Sequence, residues 1–184
     1  MDDIELIKRI ATGDAAACRA LVERHKGYAF TIAYRVLRHR ENAEEAAQDA
    51  FVQAFKNLPS FNQQAKFTTW FYRIVFNAAL MMKRRQKEPA DDVDTAQHVA
   101  ADSRASDETK QNEQRFYITK ALANLSPEDA AVLTLFYLKE QSLDEIAEVT
   151  GTSLANAKVR LHRARQRLAN EMSGLLRTEA RDLL

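Results

Sequence analysis

Residues that interrupt helices are scarce in this chain, and that scarcity limits the possible folds more than any other feature. Its 184 residues include only four glycines and three prolines. The most common residues are Ala, Leu, Arg and Glu, all of which favour helices. Hydrophobic residues make up 46% of the sequence and charged residues 29%, as in ordinary globular proteins. We therefore predict an all-α fold with a buried core.

One segment in the middle of the chain lacks the apolar periodicity of a helix. Between residues 88 and 113, acidic residues greatly outnumber basic ones, which is typical of a flexible linker. We predict two small helical domains, residues 1–87 and residues 114–184, joined by a flexible acidic linker at 88–113. Each domain is small enough that its core is modest.

The sequence also argues against several classes of protein. Cys18 is the only cysteine, so an internal disulfide and a cysteine zinc cluster are excluded, and we expect Cys18 to be a small buried residue. The first thirty residues carry acids and no long apolar run, which predicts neither a signal peptide nor a membrane span and places the protein in the cytoplasm.

Catalytic and metal sites are not expected either. No glycine-rich phosphate loop or serine nucleophile motif is present. We predict no catalytic residue, no cofactor, no metal site and no enzymatic activity. The histidines lack the spacing of metal ligands; they are His25, His39, His98 and His162.

Apolar spacing in the first domain predicts three packed helices. Asn42 and Glu45 predict the N-cap of the second helix and its reciprocal acid, and Pro59 ends that helix. The third helix is predicted at residues 68–87. The buried stripe of the first helix is predicted to contain Cys18, Leu21, Val22, Ala29, Ile32, Ala33 and Val36.

Aromatic residues are concentrated just before a basic run. Six of the fifteen aromatic residues lie within residues 61–76, and four basic residues follow within residues 83–87. Aromatic faces beside a basic track favour binding of single-stranded nucleic acid. A module this small also needs most of its aromatic residues in the core.

Capping signals in the second domain predict a helix-turn-helix. Ser126, followed by a proline, predicts the start of one helix, and Ser142 with Glu145 forms a capping box for a short second helix. Gly151 makes the turn, and Ser153 caps a final long helix. The buried stripe of that helix is predicted to contain Leu154, Ala157, Leu161, Ala164 and Leu168.

The final helix is basic on its predicted outer face. No acid occurs between Ser153 and Leu168, whereas five basic residues do. Stepping about 100° per residue from Leu161 places Val159 and Arg163 roughly 160° away, on the side opposite the core. This pattern favours binding to DNA phosphates and bases, and the alternative is a solvated basic surface.

Four stretches, taken in order, resemble the extracytoplasmic-function (ECF) family of bacterial RNA polymerase sigma factors. The similarity spans nearly the whole chain except the linker. The stretches are GDAAA with LVERH (residues 13–25), AEEAAQDAF (43–51), FTTWFYRI with a following asparagine (67–77), and VRLHRAR (159–165).

The resemblance implies that residues 1–87 are sigma region 2, a bundle of three to four helices, and that residues 114–184 are sigma region 4, a helix-turn-helix domain. Region 2 of the family binds the clamp helices of core RNA polymerase and the melted strand of the minus-ten promoter element. Region 4 reads the duplex minus-thirty-five element and contacts the polymerase flap. The family usually has an anti-sigma partner, and many members serve stress or envelope-related regulons. Nothing in the resemblance implies insertion into a membrane.

Carrying the family motifs over residue by residue gives three candidate sites. The polymerase-binding residues are Glu45, Gln48 and Asp49. The minus-ten residues are Phe61, Lys66, Trp70, Asn77, Met81, Arg84 and Arg85. The minus-thirty-five residues are Ser153, Asn156, Lys158, Val159, Arg160, His162 and Arg163.

Two other classes of protein remain as alternatives. The first is a helix-turn-helix repressor or activator, which binds duplex operator DNA without polymerase. The second is an enzyme that acts on nucleic acid, for which the sequence offers no catalytic motif. For the acidic residues at 45–49, the alternative is an ordinary solvated helix face.

Overall fold

A computed structural model describes the backbone of residues 2–87 and 109–182, and these residues form helices without any strand. The all-α prediction is therefore confirmed. The helices are α1 (Asp3–Ala11), α2 (Ala15–Leu37), α3 (Arg40–Asn57), a 3₁₀ turn (Leu58–Ser60), α4 (Phe67–Lys87), α5 (Thr109–Asn124), α6 (Pro127–Lys139), α7 (Leu143–Thr150) and α8 (Leu154–Asp182).

The N-terminal module contains the three predicted helices and one more. Helices α2, α3 and α4 pack against one another, and α1 packs against α2. The Asp2 carboxylate caps α1 by accepting the backbone N–H of Glu5 at 2.7 Å. Leu6 and Ile7 bury the apolar face of this short helix.

The start of α3 differs from the prediction, which placed the N-cap at Asn42. Helix α3 begins at Arg40, and the His39 ring accepts the backbone N–H of Asn42 at 3.5 Å. Arg38 adopts the left-handed conformation and closes α2 by donating its backbone N–H to Tyr34. Because one left-handed residue reverses the chain, α3 can begin earlier than its sequence signal indicated.

Most of the clustered aromatic residues belong to the core of the N-terminal module. Phe67, Phe71, Tyr72 and Phe76 are buried, whereas Phe61 and Trp70 are half-buried. Burial raises the pKa of the Tyr72 hydroxyl well above its ordinary value. Four of the six clustered aromatic residues are therefore core residues, as the small size of the module predicts. Only Phe61 and Trp70 are exposed enough to contact a ligand as well.

The predicted caps of the C-terminal module are confirmed. Ser126 accepts the backbone N–H of Asp129 at 3.2 Å, and Ser142 with Glu145 forms a complete capping box. Gly151 has a φ of 65° at the end of α7, and Ser153 accepts from the backbone N–H of residue 156 at 3.2 Å. Left-handed φ at that turn favours glycine.

Helix α5, which the sequence did not reveal, precedes these elements and packs against α8. It begins at Thr109, so it includes the last residues of the segment predicted as a linker. The rest of that predicted linker, residues 88–108, lies outside the described residues.

Of the positions predicted to be buried, Leu154 is wrong, Cys18 is only half-buried, and Val22 and Leu168 are partly buried against the core. Leu154 is 36% exposed because it is the first residue of α8, ahead of the turns in which Ala157, Leu161 and Ala164 are buried. Cys18 is only half-buried, since its neighbour Ala17 takes the enclosed position on α2.

The two modules pack against each other, an arrangement that the sequence left open. Helix α7 lies against α4, and α6 lies against α2. The Arg38 guanidinium donates to the carbonyl oxygen of Leu125, which joins the end of α2 to the loop before α6. The Thr69 hydroxyl lies 3.3 Å from Oε1 of Gln141, and both side chains are buried.

Candidate functional site

An acidic and polar face lies on the outside of α3. Glu45, Gln48 and Asp49 are all exposed, and their spacing places them on one side of the helix. Val52 is also exposed and lies one turn beyond Gln48 on the same side. Val52 was not among the residues predicted for this site, although its spacing from Gln48 could have indicated it. We call these four residues the α3 face.

A stripe of aromatic, polar and basic side chains follows the outer side of α4. At about 100° per residue, its members fall within roughly 40° of Asn77 around the helix axis. Asn77, Met81 and Arg84 are exposed, and Trp70 is half-buried. Arg73 is exposed and was missed by the sequence analysis, although it lies one turn before Asn77. The α4 stripe consists of Trp70, Arg73, Asn77, Met81 and Arg84.

Phe61 extends the stripe at one end only. Its ring centroid lies 5.1 Å from that of Trp70 and 5.9 Å from that of Phe67, at the N-terminal end of α4. Asn77 lies seven residues after Trp70, a rise of about 10 Å along the helix. Aromatic stacking and the polar amide therefore occupy successive positions along α4, with the exposed Arg85 at the far end.

Lys66 lies between the modules, immediately before α4. Its Nζ is 2.9 Å from Oε1 of Glu145, the residue that closes the capping box of α7. Burial disfavours the charged form of Glu145, but hydrogen bonds from Lys66 and from the backbone of Ser142 outweigh it, so the pKa of Glu145 is below its ordinary value. The Glu145 carboxylate is therefore ionised at neutral pH.

The outer side of α8 forms one wall of a cleft. Val159 is 48% exposed there, as the outward position predicted. The opposite wall is formed by Ser126, Glu128 and Asp129 at the start of α6. From α8 and the turn before it, the cleft is lined by Thr152, Asn156, Val159, Arg160, Arg163 and Arg167.

The basic residues of α8 have different surroundings. Arg167, which was not predicted as a site residue, donates to the buried carboxylate of Asp129 and helps to hold α8 against α6. Arg165 stacks over the ring of Phe136, with its guanidinium carbon 4.7 Å from the ring centroid. Arg163 is exposed in the cleft.

Not all of the predicted minus-thirty-five residues lie in this cleft. Lys158 and His162 are exposed, but they lie on the opposite flank of α8, roughly 100° or more from Arg163 around the axis. Ser153 is occupied in capping α8. The structure therefore brings together Asn156, Val159, Arg160 and Arg163.

A second cleft joins the two modules. It is lined from α4 by Phe76, Leu80, Lys83 and Arg84, and from the C-terminal module by Glu128, Thr150, Thr152 and Arg160. Arg84 of the α4 stripe and Arg160 of the α8 cleft consequently line the same cleft. Lys83 also donates to the carbonyl oxygen of Val36 at 3.2 Å, which joins α4 to α2.

Within the part of the chain that the structure describes, no cluster of His, Cys, Asp and Glu side chains could hold a metal ion. Among the helices of that same part, none combines the length and hydropathy that crossing a membrane requires.

Family profiles match both modules. The profile of sigma-70 region 2 matches residues 21–88, and that of sigma-70 region 4 matches residues 115–168. Helix α1 and the end of α8 lie outside these matches.

Curated relatives match almost the full length. The ECF RNA polymerase sigma factor SigW of Bacillus subtilis is 31% identical over 180 residues, covering 92% of this chain and 96% of SigW. SigM of Mycobacterium tuberculosis is 32% identical over 177 residues, covering 96% and 87%. The ECF sigma-E factor of Escherichia coli K12 is 28% identical over 189 residues, covering 96% and 97%.

Two solved structures are similar in fold. CnrH, in complex with the cytosolic domain of CnrY, aligns with a TM-score of 0.65 at 25% identity and covers 94% of this chain and 97% of CnrH. The sigma factor RpoE of Bartonella quintana, in complex with the anti-sigma factor NepR, aligns with a TM-score of 0.67 at 19% identity and covers 84% of this chain and 96% of RpoE.

Proposed function

This chain belongs to the extracytoplasmic-function family of RNA polymerase sigma factors, and from that membership we propose that it binds core polymerase and directs it to promoters. Residues 1–87 act as region 2 and residues 114–184 as region 4. The chain performs no catalysis itself, and it acts in the cytoplasm with polymerase. The observation that carries the proposal is the order of three exposed surfaces along one chain: the α3 face, the α4 stripe and the α8 cleft.

The α3 face is the proposed contact with the clamp helices of the polymerase. Glu45 and Asp49 offer two carboxylates to basic groups of a partner, and Gln48 offers an amide between them. Val52 adds an apolar contact at the edge of the same face. Charges around a small apolar contact steer association and set its register.

The α4 stripe, with Phe61, is the proposed site for the melted strand of the minus-ten element. Trp70 offers an aromatic surface for stacking, and the amide of Asn77 can both donate to and accept from a base edge. Arg73 and Arg84 lie on either side of Asn77 and can neutralise successive phosphates. A base that leaves the duplex therefore finds stacking and hydrogen bonding along one helix.

The α8 cleft is the proposed reader of the duplex minus-thirty-five element. Arg163 can donate two hydrogen bonds to a guanine edge, and Val159 can contact a thymine methyl group. Arg160 and Asn156 lie beside them for phosphate or base contacts. Lys158 and His162 reach only the flank of such a groove, where they can approach the backbone.

Regulation by an anti-sigma protein is also proposed. Two similar structures, CnrH and RpoE, are complexes with the cytosolic domain of CnrY and with the anti-sigma factor NepR. Their likeness to this chain extends over both modules. We expect a partner of this kind to bind the free sigma factor and compete with polymerase. Contact between region 4 and the polymerase flap is proposed from family membership alone.

Transcription with purified components tests the proposal. Core polymerase is given a library of promoter fragments, with and without this protein, and the transcripts are sequenced. We expect promoter-specific RNA only when both are present. A helix-turn-helix repressor or activator makes the opposite prediction: tight specific binding to duplex DNA without polymerase, and no new transcripts from core enzyme.

A further inference from the structure

The contact between Lys66 and Glu145 joins a proposed DNA-binding residue to the other module. Lys66 precedes α4, Glu145 lies in the first turn of α7, and their charged atoms are 2.9 Å apart. The Glu145 side chain is only 16% exposed, compared with 72% for that of Lys66. The carboxylate is therefore enclosed by the protein and the lysine reaches in from solvent.

Glu145 is held in place before it meets Lys66. Its Oε2 accepts the backbone N–H of Ser142 at 2.8 Å as part of the capping box, which leaves Oε1 directed at Lys66. A side chain already fixed by a cap loses little additional freedom when it forms an ion pair. The two oxygens thus have separate roles, one within α7 and one between the modules.

Polar contacts continue from this ion pair into the interface. Thr69 is fully buried, and its hydroxyl lies 3.3 Å from Oε1 of Gln141 and 3.5 Å from Oε1 of Glu145. Arg38 and Leu125 form a further contact between α2 and the segment before α6. Apolar side chains also hold the modules together, because the buried hydrophobic residues of both modules belong to one continuous cluster. The polar contacts are therefore one part of the interface, and they are the part that charge substitutions can weaken.

While the two modules are packed against each other, which we call the closed arrangement, they cannot bind both promoter elements at once. Arg84 and Arg160 line one cleft, yet the two promoter elements are about 25 base pairs apart by their names, which is roughly 85 Å at about 3.4 Å per base pair. The modules must therefore separate before both reach their elements. Separation breaks the contact between Lys66 and Glu145.

We propose that Glu145 is an intramolecular latch that helps to hold the free sigma factor closed by occupying Lys66 in place of a DNA phosphate. The inference rests on the proposed function, because it assigns a regulation to the same minus-ten surface. A lysine can pair with the enclosed carboxylate or with the nucleic acid backbone, so closure and strand capture exclude each other. Polymerase that spreads the modules apart releases Lys66 at the moment DNA is to be bound.

The latch can be weakened without damaging α7. Glu145→Gln removes the charge but keeps an oxygen for the Ser142 cap, since glutamine also completes a capping box. Glu148→Gln is the matched control, because it removes the same charge from an exposed position on the same helix.

Distance between the modules is measured by energy transfer between two fluorophores on the full-length chain. Cys18→Ser removes the native thiol, and Gln53→Cys on α3 with Asn170→Cys on α8 provide exposed labelling sites. Circular dichroism verifies that each variant is folded. Affinity for core polymerase is measured in parallel.

Glu145→Gln is expected to lower the transfer efficiency and to tighten polymerase binding about two- to fivefold, the effect of losing one partly exposed ion pair. Both differences between Glu145→Gln and the parent chain should become smaller at high salt, because salt screens the ion pair in the parent chain. Lys66→Gln should lower the transfer efficiency equally, and Glu145→Gln should add nothing in that background.

Unchanged transfer efficiency in Glu145→Gln would overturn the latch. An equal fall in transfer efficiency in the Glu148→Gln control would overturn it too. So would a fall in transfer efficiency in Glu145→Gln without any gain in affinity for polymerase. The proposed function fails in a different way, with no promoter-specific RNA from any variant or from the parent chain. Energy transfer in the free protein needs neither polymerase nor DNA, so the two failures are distinguishable.

Discussion

Arg163 is the residue whose position most directly predicts a contact with duplex DNA. It is exposed in the α8 cleft beside Val159, while Arg165 and Arg167 on the same helix are committed to Phe136 and Asp129. Spacing along the helix distinguished the outward side of α8, but it did not reveal which arginines the protein uses for its own packing.

Arg163→Ala is therefore expected to weaken recognition of one position in the minus-thirty-five element. Loss of a bidentate contact to guanine costs about 1–3 kcal/mol. Binding of the holoenzyme to promoters substituted at each base measures the effect. Arg177→Ala is the control, since it removes the same charge from an exposed position near the other end of α8. A uniform loss across all sequences would mean that Arg163 contacts only phosphate.

Asn77→Ala is expected to impair promoter opening and to spare upstream binding. Its amide lies in the α4 stripe and does not line the α8 cleft, so we expect it to act only on a base that has left the stack. A premelted bubble should not rescue the variant, because the lost contact is to the base itself. Gln86→Ala, exposed on the opposite side of α4, should behave like the parent protein. Full rescue by the bubble would assign Asn77 to melting instead.

At the scale of helices, the local sequence signals predicted most of the helix caps correctly. The caps at Ser126, Ser142 and Ser153 are read correctly, because a cap is a contact between residues three apart. The start of α3 was misplaced, since it depends on the left-handed turn at Arg38. The exposed Leu154 shows that a periodic stripe does not reveal where packing begins.

Helix α3 carries the proposed polymerase contact, and the charge of its acidic face can be reversed by two substitutions together. Glu45→Lys with Asp49→Lys should weaken binding to core polymerase about tenfold or more, because like charges then oppose each other at the interface. Both residues are exposed, so the fold should persist. Glu5→Lys with Glu23→Lys, exposed acids on α1 and α2, makes the same change in net charge elsewhere.

Equal affinity of both double variants for core enzyme, measured by fluorescence anisotropy, would remove α3 from the polymerase interface. Equal weakening by both double variants would mean that the net charge of the protein, and not the position of the acids on α3, determines binding. A loss confined to the Glu45 and Asp49 pair is the result that the exposed position of this face leads us to expect.

At the scale of the molecule, the packing of the two modules is the feature that the sequence could not supply. Contacts such as Thr69 with Gln141 join residues far apart in the chain, and neither residue carries a local pattern that marks it for burial. The proposed functional surfaces were recognisable because the residues selected for each lie along one helix. Their closeness in the free chain depends on tertiary contacts alone.

Because the closed chain cannot present both surfaces to a promoter, it should bind duplex DNA poorly by itself. The α8 cleft, the proposed reader of one promoter element, lies on a single small module whose contact area with DNA is limited. We expect the free protein to bind a promoter fragment with a Kd of roughly micromolar or weaker, near the non-specific range, and with strong salt dependence. The holoenzyme should bind the same fragment far more tightly and select its sequence. Electrophoretic mobility shifts at matched salt compare the two. Tight, sequence-selective binding by the free chain would mean that region 4 reads DNA without polymerase and that the closed packing does not restrain it.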